Sequence, residues 1–280
     1  MQPLIPPFIQ QCLLTEKYTG QLDAFALNID LSGFTPLTES LMKEGLVGAE
    51  RLSKILNEVF EPLVKLMYDR GGFIPYFAGD AFTAVFMLPL DQKHAVHLLE
   101  TADLARHIFD KRDHQFGGHY KIGLKAGLAA GPVKYGIVGD ALKSYYFRGK
   151  AINQAAFCQM QAEDEEIVID DLTRTLLEGS PAICEEVAFG AYRFIAELPE
   201  RIEHLTVEPV KIGALDPEIA QQFLPAEVIR YDQPGEFRTV VSTFLSFEAV
   251  NSHEELDQFA SVVLSQLNDF GGYFKEVDYG

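Results

Sequence analysis

Asp30 closes an apolar run that begins at Asp23. Asp80 sits in a Gly79-Asp80 pair between two further apolar runs, Phe73 to Ala78 and Ala81 to Met87. Short runs of this kind suit buried strands, and a Gly-Asp pair between two of them predicts a hairpin. Two carboxylates carried to one sheet edge repel each other unless a hard divalent cation lies between them. Magnesium is held in this way where phosphoryl groups are transferred. After Asp30 comes Leu31-Ser32-Gly33-Phe34-Thr35, a glycine turn that opens a helix. Thr35 is its expected N-cap, Pro36 its first helical residue, and Glu39 lies in the first turn, where the helix dipole favours a negative charge.

The elements needed to position these residues follow in order. A helix is predicted from about Gly48 to Tyr68, with Leu52, Ile55, Leu56, Val59, Phe60 and Leu63 at helical spacing and Pro62 as a bend. The Gly71-Gly72 break, the hairpin and a helix from about Lys93 to Lys111 come next. Then follow a strand Tyr120 to Ala129, a turn at Ala130-Gly131-Pro132, strands Val133 to Val138 and Ser144 to Phe147, and a helix opening near Lys150. A strand at Glu166 to Ile169 and a pair around Cys184 and Tyr192 complete the unit.

Leu198 to Pro234 carries five prolines among scattered charges and reads as a linker or wrapping arm. Beyond it the order strand, helix, double glycine and strand restarts, with Arg238 to Phe247, Ser252 to Asn268 and Gly271-Gly272. This repeats the order between Ala24 and Phe77. The expected organisation is an N-terminal arm over 1–20, a main domain over 21–197, a linker over 198–235 and the start of a second, truncated copy over 236–280. The fold class expected is α/β (α+β), with a ferredoxin-like βαββαβ core and added strands and helices.

The chain of 280 residues is 48% apolar, enough for a substantial core. Its net charge of −18 argues against a nucleic-acid partner, since phosphate backbones are met by clustered Lys and Arg. It does not argue against a nucleotide, because a bound cation reverses the local sign. No apolar run is long enough to span a bilayer and no export signal is visible, so no membrane partner and a cytoplasmic location are expected. Cys12, Cys158 and Cys184 have no metal-ligand spacing and read as reduced thiols. His94, His97 and His107 share one helix, and His94 and His97, three residues apart without a nearby carboxylate motif, read as exposed; His114 and His119 flank a Gly117-Gly118 loop.

Four stretches, taken in order, resemble the class III adenylyl and guanylyl cyclases. They are Asn28 to Thr35 (NIDLSGFT), Gly71 to Ala81 (GGFIPYFAGDA), Gly127 to Gly139 (GLAAGPVKYGIVG) and Gly149 to Ala156 (GKAINQAA). The likeness is strongest to the first catalytic domain of the soluble, bicarbonate-responsive adenylyl cyclases. It implies that Asp30 and Asp80 bind two Mg2+ or Mn2+ ions, with the carbonyl of Leu31 as a further ligand. One ion would lower the pKa of the ribose 3′-hydroxyl and the other would gather triphosphate oxygens. The amides from Ser32 through Gly33 and Phe34 to Thr35 would cradle phosphate at a helix N-terminus. ATP would become 3′,5′-cyclic AMP and pyrophosphate.

The departures from the pattern matter as much. The base-reading lysine is replaced by Tyr76, a second base-reading position is Tyr146, and the transition-state arginine is replaced by Phe157, although Asn153 is present. A triphosphate-binding arginine corresponds to Pro132, with Lys134 nearby. An aromatic ring cannot stabilise charge developing on the α-phosphate, so the chain is expected to supply the metal half of a site completed by a second cyclase domain of the same chain. In that second copy Ser246-Phe247-Glu248 replaces the metal segment. Lys275 and Glu276 stand near its base-reading position, where lysine would favour adenine and glutamate guanine. The resemblance favours ATP; a guanylyl cyclase using GTP, or an inert cyclase-like nucleotide-binding or regulatory pairing domain, are the alternatives.

Overall fold

The structure, a computed structural model, describes residues 5–110, 122–195, 205–211, 213–225, 229, 241–248, 250, 252–270, 272–275 and 277. Helix α1 (Pro7–Leu14) buries Ile9 and Cys12, and Ile5 just before it is also buried. Strand β1 (Thr19–Ser32) leads into helix α2 (Phe34–Met42) and then helix α3 (Leu46–Asp69), which contains Pro62 without ending there. The hairpin of β2 (Phe73–Ala78) and β3 (Ala81–Phe86) follows, then α4 (Gln92–Asp110) and a long β4 (Gly123–Val138). The rest of the main unit is β5 (Ser144–Arg148), α5 (Lys150–Gln161), β6 (Ile167–Asp170), α6 (Asp171–Leu176), β7 (Cys184–Ala188) and β8 (Ala191–Phe194). Beyond it the described residues include helices α7 (Pro217–Phe223) and α8 (His253–Asp269).

The strands form one open sheet in the order β2-β3-β1-β4-β6-β8-β7, with β5 also paired to β4. β1 is antiparallel to both β3 and β4. The spatial order of the first four strands is that of the ferredoxin-like core expected from sequence. Alternation along β1 explains its central place. Phe25, Leu27, Ile29 and Leu31 are buried on one face, while Asn28, Asp30 and Ser32 are half-buried on the other.

Several expectations are corrected. The turn at Ala130-Gly131-Pro132 does not form, because β4 runs unbroken and pairs with β1 from Gly123 to Gly136. Its other edge pairs with β6 at residues 126–128 and with β5 at residues 134–138, so Pro132 falls between these ladders, where a missing N–H is tolerated. In the same gap, the Ala130 amide donates to the buried Asp170 carboxylate at 3.3 Å. Residues 241–248 contain no strand, and neither do 272–275, although Phe247 and Phe274 pack in one cluster: apolar packing there is not accompanied by the ladder hydrogen bonds that define a strand. The helix predicted between them is present as α8, opened by a capping box in which the Ser252 hydroxyl and Glu255 carboxylate accept from each other's amides, both at 3.1 Å. His97 is not exposed but buried, its Nε2–H donating at 3.0 Å to the Arg70 carbonyl. His114, His119 and Gly117-Gly118 lie outside the described residues, as do Tyr120 and Glu276.

Residues 205–211 and 213–224 pack against the main unit. The Val210 amide donates to the Tyr68 carbonyl at 2.9 Å, and the Lys143 amide to the Gln222 carbonyl at 2.6 Å. Ile219, Phe223 and Leu224 are buried in the same core as the sheet. Helix α8 forms a second cluster, in which Leu256, Ala260 and Leu264 cover Val138 and Tyr146. No helix among the described residues is long and apolar enough to cross a membrane.

Candidate active site

The centre of the sheet ends in a cluster of polar groups. Asp30 stands opposite Ala81 on β3 and opposite Lys125 on β4. Asp80 is the residue before Ala81, in the two-residue turn of the β2–β3 hairpin, and its carbonyl accepts from the Leu31 amide at 3.3 Å. The two carboxylates expected from sequence to act together are therefore carried by touching backbones. Burial pushes the Asp30 carboxyl above its ordinary value, the Asp80 and Asp164 charges push it further up, and Lys125 offsets part of this.

The loop after β1 differs locally from expectation. Gly33, not Thr35, is the N-cap of α2, with φ of 80° and no side-chain cap. A left-handed turn there costs glycine nothing, whereas a residue with a Cβ would pay about 1 kcal/mol. Phe34 and Thr35 are then the first two helical residues, and their amides lack intrahelical acceptors; Phe34 is buried and Thr35 exposed. Ser32 is half-buried, with its hydroxyl against Gly123 on β4.

Three neighbours were not singled out in the sequence. Lys125 faces Asp30 across the ladder and lies 3.9 Å from Asp164. Gln159 on α5 donates from its amide to Asp30 Oδ2 at 3.3 Å. Pairing of β4 with β1 would have exposed Lys125, but reading a turn into β4 obscured its register. Gln159 is found only through helix packing, because α5 crosses β4 at Gly127. A Cβ there would lie 2.0 Å from the Ala155 carbonyl oxygen and 2.3 Å from the Gln159 amide nitrogen.

The remaining expected residues lie elsewhere. Lys275 is exposed, and its neighbours Phe274 and Val277 pack with Val138 and Tyr146. Val138 is separated from Lys125, the partner of Asp30, by the length of β4 from 125 to 138, about 40 Å at strand rise. Lys275 is thus not brought to the carboxylate pair. Lys134 pairs with Gln21, toward the same distant end. Tyr146 is buried, its hydroxyl 3.2 Å from His253 Nδ1, while the Tyr145 hydroxyl donates to the Pro75 carbonyl at 2.9 Å. Phe157 is half-buried beside Val187 and Ala188. Of these rings Tyr146 is buried and fills space in the core, while Tyr145 and Phe157 are half-buried against it.

As to a cation, no group of three or more His, Cys, Asp or Glu converges among the described residues. Two carboxylates with an unneutralised mutual charge still fit a small hard ion that takes one or two protein carboxylates and completes its shell with water and phosphate oxygens.

The sequence family described as adenylate and guanylate cyclase catalytic domain matches residues 24–193, more than half of the chain. The chain belongs to this family. Adenylate cyclase type 10 of Mus musculus is 30% identical over 152 residues, covering 52% of this chain and 9% of that protein. The chain therefore spans about a tenth of the length of the curated relatives it matches. Among solved structures, the adenylyl cyclase CyaB from P. aeruginosa shares the fold with a TM-score of 0.55 at 23% identity, covering 64% of this chain and 96% of that one. A class III adenylyl cyclase-like ATP-binding protein from Pseudomonas aeruginosa gives 0.51 at 18% identity, covering 56% and 35%. The cyclase domain thus includes both expected aspartates and every strand of the sheet, and its matched span ends within β8.

Proposed function

We propose that the chain supplies the metal-binding half of an adenylyl cyclase site, completed by a second cyclase domain. The observation that carries the reading is the junction of Asp30 and Asp80, joined through the Leu31 amide and Asp80 carbonyl. Mg2+ or Mn2+ held by Asp30, Asp80 and the Leu31 carbonyl would lower the pKa of the ribose 3′-hydroxyl and neutralise triphosphate charge. The chain's own groups do the rest. The amides of Phe34 and Thr35 donate to phosphate oxygens at the α2 N-terminus, Ser32 lines the approach, and Lys125 offsets negative charge beside Asp30. The 3′-oxygen bonds to the α-phosphorus, its proton leaves, the bond from that phosphorus to the β-phosphate bridge breaks, and pyrophosphate departs. Base reading and transition-state charge stabilisation are left to the partner domain, since aromatic Tyr76, Tyr146 and Phe157 occupy those positions here. The 30% identity to an adenylate cyclase supports ATP over GTP.

The test is cyclic nucleotide formation from ATP and from GTP, by the 280-residue chain alone and when paired with a cyclase domain bearing the lysine and arginine it lacks. The chain alone should make little or none, and robust turnover by it would contradict the half-site reading. In the active pair, Asp30→Ala or Asp80→Ala should lower turnover about a thousandfold, the equivalent of several kcal/mol of lost charge stabilisation. Normal turnover in either variant would end the assignment.

A second reading is a cyclase-like domain that binds nucleotide without turnover. Its specific support is the burial of Tyr146 under α8, which closes one family position with the chain's own side chains. Failure of every pairing to yield product, with metal–ATP binding retained, would favour it.

A further inference from the structure

The geometry points to Gln159 as the positioning residue of Asp30, a side chain that holds one carboxylate oxygen in place so that the other faces the cation. The inference rests on the metal reading of Asp30 proposed above. The Gln159 amide donates to Asp30 Oδ2 at 3.3 Å and leaves Oδ1 without a bond to it. The donor is held by the backbone as well as by its own rotamer. Because α5 sits on β4 where Gly127 has no Cβ, the Gln159 main chain is fixed against the strand whose Lys125 pairs with Asp30. Gly127 itself pairs with Asn28, two residues before Asp30 on the same face of β1, and the Asn28 amide is in turn fixed by the Thr83 hydroxyl at 2.9 Å.

The residue type suits the task. Asp30 already stands among Asp80 and Asp164, and both raise its affinity for a proton. A carboxylate at 159 would add charge of the same sign and could only accept. An amide donates a hydrogen bond without changing the charge of the site, so it orients Asp30 while leaving it fully anionic toward a cation. Lys125 is the nearby cation, and its ion-pair partner at 3.9 Å is Asp164, so the oriented hydrogen bond on Asp30 comes from Gln159.

The experiment is titration of the whole chain with Mn2+, followed by electron paramagnetic resonance of the free ion, together with thermal unfolding in metal-free buffer. Gln159→Met keeps the side-chain length and removes the donor; Gln159→Ala serves if the methionine disturbs α5. Either variant should bind Mn2+ about tenfold more weakly at an unchanged metal-free melting temperature, the effect expected on losing an orienting hydrogen bond to a ligand. Asp30→Asn is the control for the underlying reading. If Asp30→Asn abolishes saturable binding and Gln159→Met binds like the unaltered chain, the positioning role is overturned while the metal site stands. If Asp30→Asn also binds normally, the metal reading falls and the inference with it. Weakening that merely tracks a lowered metal-free melting temperature would also overturn it, since the amide would then be holding α5 rather than the carboxylate.

Discussion

Asp30, half-buried, and His97, buried, are both ionisable groups that lose water on folding, and they make opposite demands on the fold. Asp30 is pushed toward its neutral form by burial and by Asp80, so its charge is carried at the expense of stability and in favour of a cation. Asp30→Asn should accordingly raise the melting temperature of the metal-free chain while removing its response to Mn2+; a lower melting temperature would show that the charge helps the fold. His97 is buried on α4 beside Arg70, Glu100 and Thr101, with His94 one turn earlier, and its Nδ1 has no partner among the described residues. Burial lowers its pKa below the ordinary value of 6.5; the hydrogen bond to the Arg70 carbonyl and the Glu100 charge oppose this, and the charges of the Arg70 guanidinium and His94 add to it. The unfolded chain therefore takes up a proton that the folded one refuses. The neutral imidazole costs nothing above pH 6.5, and stability falls as pH drops through and below that value. Melting temperatures between pH 7.5 and 5.5 should show this decline, and His97→Gln, which can still donate to the Arg70 carbonyl, should flatten it. An equal decline in the variant would place the effect elsewhere. The candidate carboxylates were legible because strand ends and a Gly-Asp turn are local patterns. The burial of His97 was not, since it depends on Arg70 reaching across from the end of α3.

At the level of elements, the hairpin, α3, α4, α5 and the polar edge of β1 were readable because each has its own period or turn. What failed were segments whose state is decided by a neighbour. Gly131-Pro132 reads as a turn in isolation, yet the ladder with β1 continues across it and Asp170 satisfies the Ala130 amide, so the strand prevails. Residues 241–248 failed in the other direction, as an apolar run that forms no ladder among the described residues. Gly127 shows the same dependence on a neighbour. Nothing in GLAAG distinguishes it from a flexible glycine, but its lack of a side chain lets α5 reach the sheet and carries Gln159 to Asp30. Gly127→Ala would place a methyl group against main-chain atoms of α5, which cannot be relieved by a rotamer change. It should cost at least about 2 kcal/mol, within the range for overpacked cores, lowering the melting temperature by roughly 5 °C or more. It should also weaken Mn2+ binding, because the helix that is displaced carries the Asp30 partner. Retention of both would mean that α5 does not lie against β4 as described.

For the molecule as a whole, the sequence suggested that the main unit ends near residue 197, yet the packing continues past that point. Ile219, Phe223 and Leu224 are buried in the central core, Phe223 meets the Tyr145 ring with centroids 6.1 Å apart, and backbone bonds tie the arm to Tyr68 near the end of α3 and to Lys143 just before β5. Burying three such side chains contributes on the order of 5 kcal/mol, an upper figure because the unfolded chain already covers part of this surface. A typical domain has about 5–15 kcal/mol of stability in all, so loss of the arm should be felt throughout. Chains ending at 204, at 229 and at 280 separate the contributions of the arm and of α8. The chain ending at 229 keeps the arm and uncovers Val138, Leu142 and Tyr146, so it should melt somewhat below the full chain and bind a hydrophobic dye at that face. The chain ending at 204 should melt far lower or fail to fold cooperatively, because Tyr145 then loses its cover and the hydrogen bond it gives to Pro75, in the strand leading to Asp80, loses its support. That loss would reach the carboxylate pair, and Mn2+ binding should weaken together with stability. If the chain ending at 204 melts and binds like the one ending at 229, the arm is a connection and not part of the cyclase core.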